Sequence, residues 1–180
     1  LMFRKALGAP LEMRERKIHI ASAARAKLLY ELPSKVSVIK DLLSAITGRT
    51  ILFGNSLSSL ELITSNVISS HKGDKENKQI REDFDNGKLD LIAAFKKLKQ
   101  GANLKDLDNC VIMSYYSKEK DLIQRIGRLR NNGEIGRIFI LVTANTQEEV
   151  WYKRMTESLN EDNLNIIKCI NVEDCLVKIK

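Results

Sequence analysis

From Thr50 onward the chain alternates short, nearly continuous apolar runs with amphipathic stretches. The runs are Ile51-Leu52-Phe53, Val67-Ile68-Ser69-Ser70, residues 89–95, Cys110-Val111-Ile112-Met113 and residues 138–142. They have strand length and β-branched enrichment, and most are apolar on consecutive positions. Strands covered on both faces read this way, as in a parallel sheet. Helices are predicted between them over 57–66, 75–85, 118–131 and 147–159; in the second, Ile80 and Phe84 are four apart and share a face. Thr146 is the expected N-cap of the last, with Glu149 at the capping-box position. Strand–helix alternation predicts a doubly wound α/β fold with a mainly parallel sheet and helices on both faces.

Two further helices, 11–32 and 34–46, are predicted ahead of the sheet. Pro33 separates them and Gly48 ends the second. Ile39, Leu42, Leu43 and Ile46 give the second an i, i+3, i+4, i+7 core stripe. After Asn165, Ile166-Ile167 and Cys175-Leu176-Val177 suggest an added hairpin or strand. Without an internal repeat or a low-complexity linker, one domain is the simplest count. Its parts are a helical lead-in (1–47), the α/β lobe (48–160) and a C-terminal extension (161–180).

Composition narrows the class. The 180 residues are 43% hydrophobic and 29% charged, enough for one buried core in a water-soluble chain. No run approaches the roughly 18 apolar residues of a membrane span, and the first residues lack the apolar centre of a signal peptide. No membrane partner is expected, and the cytoplasm is the default compartment, or a host cytoplasm for a phage-encoded chain. Lys plus Arg number 30 against 23 Asp plus Glu, for a net charge of +7. That excess suits phosphate binding and equally suits an ordinary basic protein. Cys110, Cys169 and Cys175 form no CxxC pair and read as buried thiols rather than a zinc site or a disulfide framework, and no metal site is expected.

The most specific string is Gln124-Arg125-Ile126-Gly127-Arg128-Leu129-Arg130-Asn131, on a predicted helix after an apolar strand. Guanidinium groups are permanently charged and fork-shaped, so they match phosphate oxygens. Gly127 leaves room for a ligand or a neighbouring lobe. The same string also reads as a solvated basic face over an Ile123, Ile126, Leu129 stripe.

The string resembles the last motif of superfamily-two nucleic-acid helicases, roughly Q-R-x-G-R-x-x-R. Gln124, Arg125, Gly127 and Arg128 match in place, whereas the final arginine falls on Asn131, with Arg130 one position early. Other segments follow in the family's order. Ile51 to Ser56 is similar to the fourth motif, in which the small polar residues (here Asn55 and Ser56) lie near the nucleic-acid backbone. His71-Lys72-Gly73, Arg81, Phe84 and Asn86-Gly87 resemble a strand ending in H-G, a helix carrying R and F, and a glycine turn; Lys72 is inserted relative to the family. Residues 95–104 resemble the fifth motif through Gly101 and Asn103. Phe95 stands where many relatives have a hydroxyl that touches the backbone, and it reads as core or as a stacking ring. Lys96, Lys97 and Lys99 offer a substitute phosphate attraction or form a solvated cluster. Trp151, after Glu148-Glu149, reads as packing.

The resemblance implies a RecA-like C-terminal motor lobe. Arg128, with Arg125, Gln124 and Arg130, would supply the arginine side of an ATP site, and Gly101, Asn103 and Gly127 would line it. Asn55, Ser56, His71, Lys72, Gly73, Lys96 and Lys97 would lie along nucleic acid. The spacing of 97–103 leans, by resemblance, toward DNA-repair, recombination or phage-type helicases, and so toward DNA. The chain has no G-x-x-x-x-G-K-[ST] loop; Gly48 to Gly54 fails it on spacing and charge. ATP and Mg2+ are therefore expected mainly on an N-terminal RecA-like lobe of the same protein, none is expected in this chain alone, and the isolated chain should be inactive. The alternative is a non-catalytic nucleic-acid- or protein-binding module that keeps the lobe fold.

Overall fold

A computed structural model of the chain describes residues 11–95, 107–114, 136–156 and 166–179. Its strands are β1 (Thr50–Gly54), β2 (Val67–Ile68), β3 (Leu91–Phe95), β4 (Asn109–Ile112) and β5 (Arg137–Ile140). They form a single sheet in the order β2-β3-β1-β4-β5. Every pairing is parallel, with Thr50 opposite Leu91 on one side and Asn109 on the other. The path from β3 to β4 passes over β1, so the strand order reverses at the centre of the sheet. Ligands of open α/β sheets gather at the carboxyl ends beside such a reversal.

The helices are α1 (Leu11–Tyr30), α2 (Pro33–Ala45), α3 (Leu57–Glu61), α4 (Asp74–Asp85), α5 (Gln147–Thr156) and α6 (Val172–Lys178). Successive strand residues face opposite ways, and both faces are covered. Ile51, Phe53, Ile92, Ala94, Cys110 and Ile112 pack with Ile80 and Phe84 of α4 and Met155 of α5. Leu52, Ala93 and Val111 pack on the other face with Val36, Ile39 and Leu42 of α2 and Leu60 of α3. This double burial explains the consecutive apolar runs. Each large side chain so enclosed stabilises the fold by about 1.5–3 kcal/mol relative to exposure.

The expected doubly wound architecture is present, with differences at the element ends. Pro33 begins α2 rather than merely separating two helices, since a first-turn proline has no backbone donor to lose. Helix α2 stops at Ala45, where Ile46 turns extended. Gly48 instead forms a left-handed turn before β1, at φ +100°. Helix α3 ends at Glu61, short of the predicted 57–66. The expected C-terminal hairpin is the helix α6: Asn171 caps it by accepting the Asp174 N–H at 2.8 Å, and Val172 packs on the α2 face of the core. Two small apolar patches do not make a strand when a cap and a helical spacing compete. The predicted 118–131 helix lies outside the described residues. Of the cysteines expected to be buried, Cys110 is, on a central strand, whereas Cys169 is exposed and Cys175 half-buried in the C-terminal extension outside the sheet. Among the described residues, no helix is long and apolar enough to cross a membrane, and no group of three or more His, Cys, Asp or Glu could hold a metal ion.

Candidate nucleic-acid interface

The carboxyl ends of the strands bring several predicted residues to one rim. Gly54 ends β1 and leads into Asn55 and Ser56. The Asn55 N–H donates to Ser114 Oγ at 2.7 Å, tying the end of β1 to the residue that follows Met113 after β4. Asn55 Nδ2 has no hydrogen-bond partner among the described residues, although the atom itself is shielded from solvent. Ser56 is buried and caps α3: its Oγ accepts the Ser59 N–H at 3.3 Å and meets Ser59 Oγ at 3.1 Å. Ser59 Oγ in turn donates to the Tyr30 carbonyl at 3.3 Å, so the end of α1 is seated beside the rim.

The loop after β2 is held from below by Asn77 of α4. Its Oδ1 accepts the Ser69 N–H at 3.1 Å, and its Nδ2 donates to the carbonyls of Ser69 at 2.8 Å and Lys72 at 3.2 Å. His71 is thereby exposed at the end of β2, with its ring centroid 5.6 Å from that of Phe95 at the end of β3. Phe95 also flanks the apolar core, so it packs on both sides of the boundary between core and rim. Lys72 is engaged locally: its Nζ donates to the Ser65 carbonyl at 3.2 Å and pairs with Glu76 at 2.8 Å. Gly73 is open on its Cα side and precedes α4, whose first turn carries Asp74 and Glu76. Those carboxylates suit the helix dipole but oppose a phosphate at this end.

Phe84 is core, fully enclosed, and Arg49 lies over its ring at 4.1 Å while also donating to the Phe84 carbonyl. Trp151 packs on the core and faces Tyr30, with centroids 6.4 Å apart. Gln124, Arg125, Gly127, Arg128, Arg130, Lys96, Lys97, Gly101 and Asn103 lie outside the described residues.

The sequence reading missed a buried ion pair at the same rim. Lys35 Nζ meets Glu148 Oε1 at 2.5 Å and donates to the Met113 carbonyl at 3.3 Å; both side chains are almost wholly enclosed. Burial pushes the Lys35 pKa below its ordinary 10.5, against the upward pull of the Glu148 hydrogen bond and charge. Glu148 Oε2 accepts the Thr143 N–H at 3.0 Å. Thr146 caps α5 as expected, through the Glu148 N–H at 3.2 Å, yet the carboxylate that reaches back belongs to Glu148 rather than Glu149. Periodicity held the signal: Lys35 is four before Ile39 on the core stripe, and Glu148 precedes Trp151, Tyr152 and Met155 by three, four and seven. Asn77 carried the same signal, three before Ile80 and seven before Phe84, whereas Ser114 carried none.

Known proteins offer a consistent comparison. The family described as helicase conserved C-terminal domain matches residues 34–133. A curated relative, the mitochondrial ATP-dependent RNA helicase MRH4 of Debaryomyces hansenii, is 24% identical over 82 residues, covering 46% of this chain and 14% of its own length. Its counterpart in Lodderomyces elongisporus is 24% identical over 80 residues, 44% of this chain and 13% of that protein. The chain thus spans about one seventh of the curated relatives it matches. Among solved structures, the C-terminal domain of the DEAD-box protein Dbp5 superposes with a TM-score of 0.70 at 14% identity, covering 83% of this chain and 92% of that one. An S. cerevisiae Dbp5 variant bound to RNA and ADP BeF3 gives 0.66 at 15% identity, over 81% of this chain and 42% of that one. These curated relatives are named as RNA helicases and as mitochondrial, so neither the lean toward DNA nor the cytoplasmic expectation draws support from them.

Proposed function

The chain belongs to the helicase conserved C-terminal domain family, as the second, RecA-like lobe of a superfamily-two helicase, and from that premise we propose that it works as half of an ATP-driven motor on RNA. The observation that carries this reading is the extent of the family match, which takes in the Gln124 to Asn131 string. In the proposed division of labour, a second RecA-like lobe of the same protein holds ATP and Mg2+. Arg128 reaches the terminal phosphate from this side, with Arg125, Gln124 and Arg130 beside it and Gly101, Asn103 and Gly127 lining the approach. A permanently charged fork stabilises the charge that builds on the transferred phosphoryl group.

The rim supplies the track. Asn55, whose Nδ2 has no hydrogen-bond partner among the described residues, and exposed His71 sit at the carboxyl ends of β1 and β2, where backbone phosphates would pass. Ser56, Lys72, Gly73, Lys96 and Lys97 complete the proposed contact set; Ser56 and Lys72 would act mainly through the loops they hold. Contacts of this kind go to the sugar-phosphate chain and carry little base information. The choice of RNA follows the names of the curated relatives.

The test compares full-length protein, wild type and Arg128→Ala, in an RNA-stimulated ATPase assay, alongside the 180-residue chain. Loss of a phosphate-contacting arginine from a complete site is expected to lower turnover by about 10³-fold or more. The isolated chain should show no ATPase. Substantial hydrolysis by the isolated chain, or an active Arg128→Ala protein, would overturn the assignment. Full-length protein that binds RNA without hydrolysing ATP would instead favour the non-catalytic module.

A further inference from the structure

The Lys35–Glu148 pair joins elements from both faces of the sheet. Lys35 lies in the first turn of α2, which covers one face, and Glu148 in the first turn of α5, which covers the other. They meet over the carboxyl ends of β4 and β5. Each charge also holds a strand-end backbone group: Lys35 the Met113 carbonyl, Glu148 the Thr143 N–H. One residue beyond Met113, Ser114 accepts the Asn55 N–H, so the same strand end is tied to the rim at β1. Ser114 is also the last residue of the described strand end before 115–135.

We propose that Lys35 and Glu148 are a positioning pair for the ATP-dependent reaction, fixing the strand end at Met113 and Ser114 from which the arginine-bearing part of the chain departs. The inference rests on the motor reading above. Its physical basis is that stability alone does not call for such a pair. Two charges removed from water lose solvation, and well-packed apolar side chains of similar size often hold a core as well or better. An apolar pair cannot replace the two hydrogen bonds to Met113 and Thr143, which set where the strand ends lie. A shift of about 1 Å in a reacting constellation can cost about 10²-fold in rate.

The experiment uses the full-length protein with Lys35→Met/Glu148→Met, measuring melting temperature, ATPase kcat and KM, and affinity for a poly(U) oligonucleotide. The expected result is a melting temperature close to wild type, because removing two buried charges offsets the two lost backbone hydrogen bonds, with kcat lower by about 10- to 100-fold and little change in KM for ATP or in RNA affinity. A double variant with wild-type kcat would show that the pair serves packing only and would overturn the proposal. If that variant is unstable, Lys35→Met/Glu148→Gln carries the same test, because it leaves no buried charge, keeps an oxygen for the Thr143 amide and still removes the bond to the Met113 carbonyl. Read where circular dichroism shows it folded, a kcat lowered by about tenfold supports the proposal and an unchanged kcat overturns it. Wild type and Arg128→Ala run alongside. Wild type without ATPase would sink the motor reading and this inference together; activity lost in Arg128→Ala but kept in the double variant would sink the pair alone.

Discussion

Replacing Gly48 with alanine tests how the chain turns into β1. Gly48 has φ +100°, and an added Cβ would lie 2.5 Å from Asp108 Oδ2 and 2.8 Å from Asp108 Cβ and Cγ. Asp108 has little freedom to yield. Its Oδ2 accepts the Arg49 N–H at 2.6 Å, its own N–H donates to the Arg49 carbonyl at 3.0 Å, and its carbonyl accepts the Arg137 N–H at 2.9 Å. Gly87 is the matched control, also left-handed at φ +72° but with nothing within 4 Å of an added Cβ. Left-handed strain costs about 1–2 kcal/mol, and the stiffer unfolded chain returns about 0.4–1 kcal/mol. Gly87→Ala should therefore destabilise by no more than about 1.6 kcal/mol. Gly48→Ala should cost about 2–3 kcal/mol more, because displacing Asp108 breaks a hydrogen bond to a charged acceptor. Urea unfolding followed by circular dichroism reads the difference as a lower midpoint at unchanged slope. Equal midpoints for the two variants would refute the steric argument, leaving backbone strain as the whole effect.

Other outcomes follow from single contacts. Asn77→Ala deprives the buried Ser69 N–H and the Ser69 and Lys72 carbonyls of their partner; it should cost about 2–3 kcal/mol in urea unfolding and weaken poly(U) binding through the His71 loop, and a stability within about 0.5 kcal/mol of wild type would refute the anchoring role. Hydrogen bonds from Lys88 and Gln79 hold the Asp83 carboxyl below its ordinary 3.8. A depressed carboxylate adds stability that is full above the unfolded value and is lost as pH falls through the folded one. The Asp83 carboxyl carbon should thus titrate by NMR below 3.8 in the wild type and closer to it in Lys88→Ala; an unmoved midpoint would argue against the hydrogen bond as the cause.

Much of this protein was legible locally. Consecutive apolar runs specify strands covered on both faces, because alternate residues must each find a hydrophobic partner, and both core layers contain them. The order of the motif residues was likewise a property of the chain alone. Boundaries were less legible: the α2 stop at Ala45 and the α6 helix depend on caps and neighbours that compete with short apolar patches.

What tertiary structure alone decided is which polar groups meet. Lys35 and Glu148 are 113 positions apart, and nothing local pairs them; only parallel strands ending together bring a first-turn lysine from one face against a first-turn carboxylate from the other. The same holds for Asn55 with Ser114 and for His71 with Phe95, whose proximity follows from β1 lying between β3 and β4 and β2 lying beside β3. Hydrophobic periodicity is a one-dimensional signal, because burial depends on which side of an element a residue occupies. Hydrogen-bond partnership depends on the order of the strands in space, and that order is set by the packing of the whole sheet.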